Sequence, residues 1–92
     1  MEKDAPVGMY AVSQIEWAII RRICGTDQML LAIHTLLRDS QNRPVPISQM
    51  PLGFEDRIAV FNDRAKKANF PIRLRQNFED NTIRYARIDV FK

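Results

Sequence analysis

Residues 71–91, Pro71-Ile-Arg-Leu-Arg-Gln-Asn-Phe-Glu-Asp-Asn-Thr-Ile-Arg-Tyr-Ala-Arg-Ile-Asp-Val-Phe91, read as a basic β-hairpin. Apolar and charged residues alternate on both sides of a Glu79-Asp80-Asn81 turn, as half-buried strands require. Ile72, Leu74 and Phe78 fall on one face of the first strand, with Arg73, Arg75 and Asn77 on the other. In the second strand Ala86, Ile88 and Val90 share a face, opposite Tyr85, Arg87 and Asp89. A turn with an odd count, about three or five residues, is expected, because it brings the two apolar faces together; an even count sets Leu74 opposite Arg87. The expected ribbon has an apolar underside and an arginine-rich top, a surface suited to a polyanion.

Upstream of the hairpin the period changes from two to that of a helix. Phe54, Ile58, Phe61, Ala65 and Ala68 recur at helical spacing and predict a helix from about Phe54 to Asn69, which Pro71 ends. Residues 39–46, Asp-Ser-Gln-Asn-Arg-Pro-Val-Pro, form a loop in which Val45–Ile47 offers a brief edge strand. Ser48-Gln-Met50 opens at most one helical turn before Pro51 and Gly53 interrupt it. A second helix runs from a Thr26 or Asp27 cap to about Arg38 or Asp39, with Met29, Leu30, Ile33, Leu36 and Leu37 on one face and Leu31 nearly opposite. The first helix has the clearest start: Ser13 and Glu16 form a capping box between Val12 and Trp17, and Gly25 supplies the stop. Residues 1–11 read as an arm with a short strand near Val7–Val12. The expected fold is α+β: one domain over 1–92, in which a helical part (13–69) with three main helices precedes a C-terminal antiparallel β-hairpin (71–91).

At 92 residues, 46% apolar and 27% charged, the chain has the composition of an ordinary soluble domain with one core. Net charge is +3, and it is unevenly placed. From Arg57 to Arg87 there are eight basic residues (Arg57, Arg64, Lys66, Lys67, Arg73, Arg75, Arg84, Arg87) against Asp63, Glu79 and Asp80, which favours an acidic partner. A solvated surface accounts for the same residues more blandly. No apolar run is long enough to cross a bilayer, and Met1-Glu-Lys-Asp-Ala-Pro6 does not resemble a secretory signal. The single cysteine, Cys24, excludes an internal disulfide and fits a reducing, cytoplasmic setting. Three glycines make no phosphate-binding loop, and no nucleophile–base, paired-carboxylate or metal-ligand pattern is present. His34 and Cys24 read as packing residues. The expectation is a non-enzymatic protein without cofactor or metal.

The order of elements (Leu36-Leu-Arg-Asp-Ser-Gln-Asn-Arg-Pro-Val-Pro-Ile-Ser-Gln-Met50, then Phe54–Asn69, then Ile72–Val90) resembles a winged helix-turn-helix domain, locally of the MarR type. The likeness covers roughly residues 28–90. It departs from the pattern at Pro51, which leaves three or four residues for the first helix of the helix-turn-helix. The resemblance implies a DNA-binding transcriptional or replication regulator. Its third helix would enter the major groove with Arg57, Asn62, Arg64, Lys66 and Lys67, and its wing would lie along duplex DNA with Arg73, Arg75, Arg84 and Arg87. Asp56 and Asp63 share the outward face of that helix and would be repelled by phosphate. An alternative is a non-enzymatic adaptor or inhibitor that docks on another protein through the hairpin or the helical surface. Leu31, Trp17, Ile20 and Ile23 together exceed what a small monomer covers easily, so a homodimer is expected.

Overall fold

The computed structural model of the chain describes residues 4–5, 12–40 and 43–88. The elements run β1 (Asp4–Ala5), α1 (Gln14–Cys24), α2 (Gln28–Asp39), β2 (Val45–Pro46), a 3₁₀ turn (Ile47–Gln49), α3 (Phe54–Lys67), β3 (Ile72–Asn77) and β4 (Thr82–Ile88). The helix starts follow from their caps. Ser13 Oγ accepts the Glu16 N–H and Glu16 Oε1 accepts the Ser13 N–H, both at 3.1 Å. Asp27, rather than Thr26, caps α2, its Oδ1 accepting the Leu30 N–H at 3.0 Å. Gly25, at φ +61°, lets the chain turn between α1 and α2 where a side chain would be strained. The short strand expected near Val7–Val12 lies, apart from Val12, outside the described residues, as does any extension of β4 to Val90.

The segment before α3 is broken as the prolines require. Pro51 biases Met50 toward extended backbone, and Met50 sits at φ −82°, ψ 148°. One 3₁₀ turn therefore stands where a full helix would lead a helix-turn-helix. Gly53, at φ +85°, redirects the chain into α3, which ends at Lys67 rather than Asn69.

The fold is α+β, three helices on an antiparallel sheet three strands wide, but the sheet is more than a C-terminal hairpin. β4 is its central strand. β3 pairs along one edge; β2 and β1 share the other, at Val45↔Ile83, Pro46↔Thr82, Asp4↔Ile88 and Ala5↔Arg87. The hairpin register also differs from the expected one. Asn77 pairs with Thr82, so the turn holds Phe78-Glu79-Asp80-Asn81, an even count, and Leu74 faces Tyr85 while Ile72 faces Arg87. Directly opposed residues share a face. Ile72, Leu74, Ile83 and Tyr85 thus point together toward the helices, each no more than 1% exposed. Arg73, Ala86 and Ile88 turn to the opposite face. Ile83 and Tyr85 pack against the helices with Ile72 and Leu74, while Arg73, Ala86 and Ile88 are buried on the other side of the sheet. Phe78, expected on the inner face, sits in the turn at 76% exposure.

Behind the inner face lie Ile20 and Cys24 of α1, Leu30, Ile33 and Leu37 of α2, and Phe61 and Ala65 of α3, all fully buried. Ile20 is covered within the chain, and Trp17, Ile23 and Leu31 pack partly against the same core. No described helix is long and apolar enough to cross a membrane.

Candidate nucleic-acid interface

The basic residues of α3 divide into those held by the fold and those on its surface. Arg57 Nη1 donates to Asp27 Oδ2, tying α3 to the start of α2. The Asp27 carboxyl is held below its ordinary range, first by the Leu30 N–H and then by the Arg57 guanidinium. Arg64 Nη1 reaches Ile23 O at 3.1 Å and Cys24 O at 3.3 Å, so it satisfies carbonyls left open at the end of α1. Lys67 pairs with Asp63 at 3.1 Å on the exposed surface, and Lys66 is exposed beside it.

Asn62 has a different task from base reading. Its Nδ2 donates to Leu74 O at 2.9 Å and its Oδ1 accepts the Leu74 N–H at 2.8 Å. Leu74 turns those backbone groups to the edge of β3 that β4 does not pair. The Asn62 amide therefore substitutes for one residue of a neighbouring strand and closes an edge that otherwise invites pairing. Neither helical period nor composition points to this pairing across 12 residues; the hint is an amide beside the buried Phe61, where an apolar residue would fit the pattern.

Arg73 and Arg87 of the hairpin are also held by the fold. Arg73 is 1% exposed, its Nη1 donating to Phe70 O at 2.5 Å and Ile72 O at 3.1 Å. Arg87 reaches Glu16 Oε2 at 2.7 Å and clamps β4 to the first turn of α1. Arg75 and Arg84 stand directly opposite each other on the sheet face that turns away from the helices, both half-buried. Arg84 Nε is buried without a hydrogen-bond partner. Of the nine candidates, the fold thus brings together Arg75 and Arg84 on the wing and Lys66 and Lys67 at the end of α3. Arg57, Asn62, Arg64, Arg73 and Arg87 are tied to other parts of the chain, Lys67 is paired with Asp63, and Arg75 also makes an interaction within the protein.

The outward face of α3 carries exposed Glu55, Asp56 and Asp63 along most of its length before Lys66 and Lys67. At the wing tip, Phe78, Glu79 and Asp80 are exposed, and Asp80 Oδ1 accepts the Thr82 hydroxyl at 2.7 Å.

Under the sheet, His34 Nδ1 lies 2.5 Å from Tyr85 Oη, with the rings stacked at 5.6 Å. Phe61 and Trp17 extend the cluster, ring centroids 4.5 Å from His34 and 5.8 Å from Tyr85 respectively. Burial lowers the His34 imidazole to about 3 and raises the Tyr85 phenol well above its usual value. Burial also pushes the Cys24 thiol up to about 11, which makes it a poor nucleophile. The described residues contain no group of three or more metal-ligating side chains. No family model matches this chain, and no match to a curated protein or a solved structure was found.

Proposed function

We propose that this protein is a winged-helix DNA-binding regulator that grips the phosphate backbone of duplex DNA chiefly with its wing. The order of elements supports the reading. A short strand, a proline-bounded break, α3 and the β3–β4 hairpin follow one another, and the sheet runs β2–β4–β3 with the turn projecting from it. The observation that carries it is the Arg75–Arg84 pair. Two guanidinium groups set directly opposite each other across the strands concentrate positive charge on one face of the hairpin, which a phosphate can meet with charge-assisted hydrogen bonds. Lys66 and Lys67 add charge at the end of α3. The acidic N-terminal half of α3 keeps that helix out of the groove, so contacts come from the wing to the phosphate backbone more than from the helix to base edges. A fluorescence anisotropy titration with a labelled duplex tests the proposal. Arg75→Ala plus Arg84→Ala abolishes most of the affinity, Lys66→Ala plus Lys67→Ala reduces it less, and absence of binding by the unaltered protein at low salt refutes it. A homodimer would set two wings on a two-fold site, with Ile15, 76% exposed on α1, among the apolar side chains it could cover.

A protein partner is the second reading, and one observation favours it. Phe78 is exposed at the wing tip beside Glu79 and Asp80, a chemistry that suits a basic, apolar protein surface better than DNA.

A further inference from the structure

A cleft of about 350 Å³ lies between α1 and α2. α1 lines it from Trp17 to Cys24 and α2 from Leu31 to Arg38, so each wall is about 10 Å long at 1.5 Å per residue. Its walls differ along their depth. Ile20 and Cys24 are fully buried, whereas Arg21 and Arg38 are exposed at the rim. The Arg38 guanidinium lies 5.8 Å from the centre of the Trp17 ring, which fixes one cation at the end of the cleft. No carboxylate is among the described lining residues.

One lining group is out of place in an apolar cleft. His34 is 4% exposed, and while its Nδ1 is matched with Tyr85 Oη, its Nε2 is buried without a hydrogen-bond partner. A buried unpartnered nitrogen is unfavourable and wants a polar atom supplied from outside the chain. A hydroxyl suits it in either tautomer, since a hydroxyl both donates and accepts.

We infer that this cleft binds an unbranched hydroxycarboxylate of octanoate length. Its carboxylate pairs with Arg21 and Arg38 at the rim, its hydroxyl meets His34 Nε2, and its alkyl chain lies along Trp17, Ile20 and Leu31. The site shares no residue with the wing and stands whether or not the protein binds DNA.

Trp17 is the only tryptophan, so its fluorescence reports on the cleft directly. Octanoate, 3-hydroxyoctanoate and octanol are titrated separately, with sedimentation velocity on the same samples. The expected result is a saturable change in which 3-hydroxyoctanoate binds about tenfold tighter than octanoate, because it satisfies the imidazole. Octanol binds more weakly than either acid, and Arg21→Ala plus Arg38→Ala, both at exposed positions, weakens both acids by about tenfold or more. No saturable change overturns the assignment. So does equal binding of octanol and octanoate, equal binding of the two acids, or indifference to the double variant. A signal that tracks a change in sedimenting mass also overturns it, since the cleft would then be covered by a second copy of the chain.

Discussion

Replacing Asn62 separates a structural amide from a base-reading one. The side chain makes two bonds to the Leu74 backbone at 2.8 and 2.9 Å, at a part-buried position on the open edge of β3. Net contributions of about 0.5–1.5 kcal/mol per bond give a loss of about 1–3 kcal/mol for Asn62→Ala. In a domain of this size each kcal/mol moves the melting temperature by about 4–8 °C, so a fall of about 4–24 °C is expected. Urea unfolding followed by Trp17 fluorescence should show a lower midpoint with unchanged slope. Asn62→Asp sharpens the test. It preserves shape and the acceptor for the Leu74 N–H but turns an anionic oxygen toward Leu74 O, so it should cost at least as much as alanine. Uncovering the β3 edge should also raise self-association at high concentration. A midpoint that stays at the wild-type value in both variants would refute the edge-closing role and leave the Asn62 side chain available to DNA.

The His34 imidazole sits at about 3 when folded and near 6.5 when unfolded, so the unfolded chain binds the extra proton between those values. Its contribution to stability is complete above pH 6.5 and is lost as pH falls toward 3, with a slope of about 1.4 kcal/mol per pH unit; unfolding midpoints across this window should flatten in His34→Gln, and an unchanged slope contradicts the assignment. Glu16 serves both the Ser13 cap and Arg87, so Glu16→Gln, which can retain the cap but loses the ion pair, should destabilise less than Glu16→Ala; equal losses measured by thermal unfolding would mean that the cap bond from Glu16 adds nothing beyond its pairing with Arg87. If two chains associate, sedimentation at micromolar concentration gives twice 10.7 kDa and Ile15→Glu shifts it back to the monomer; a clean monomer for the unaltered protein removes the two-fold arrangement.

The parts of the fold written in local chemistry were legible in the sequence. Ser13 with Glu16, Gly25 and Asp27 mark helix ends through bonds made within three or four residues and act where the sequence places them, whereas α3 ends at Lys67, four residues before Pro71. Hairpin parity was not legible, because it depends on how many of residues 78–81 join the strands and because both faces of β4 carry buried side chains, Ile83 and Tyr85 on one and Ala86 and Ile88 on the other. The candidate site was legible as a concentration of charge, not as a geometry. Arg57, Arg64, Arg73 and Arg87 have the same side-chain chemistry as Arg75 and Arg84, and composition does not reveal the contacts the fold gives them: Asp27 for Arg57, the carbonyls of Ile23 and Cys24 for Arg64, those of Phe70 and Ile72 for Arg73, and Glu16 for Arg87. His34 is a related case: an imidazole on an apolar helix reads as packing, and its meeting with Tyr85 spans 51 residues.

The salt dependence of duplex binding tests the central proposal most directly. The observed binding constant is measured over a range of salt concentrations for the unaltered protein and for Arg75→Ala plus Arg84→Ala. If both arginines neutralise phosphates, removing them lowers the magnitude of the log–log slope by about 2, at roughly 0.9 for each contact. A slope that is the same in both proteins, or a duplex that the unaltered protein fails to bind at low salt, contradicts the proposal that the wing is a phosphate grip.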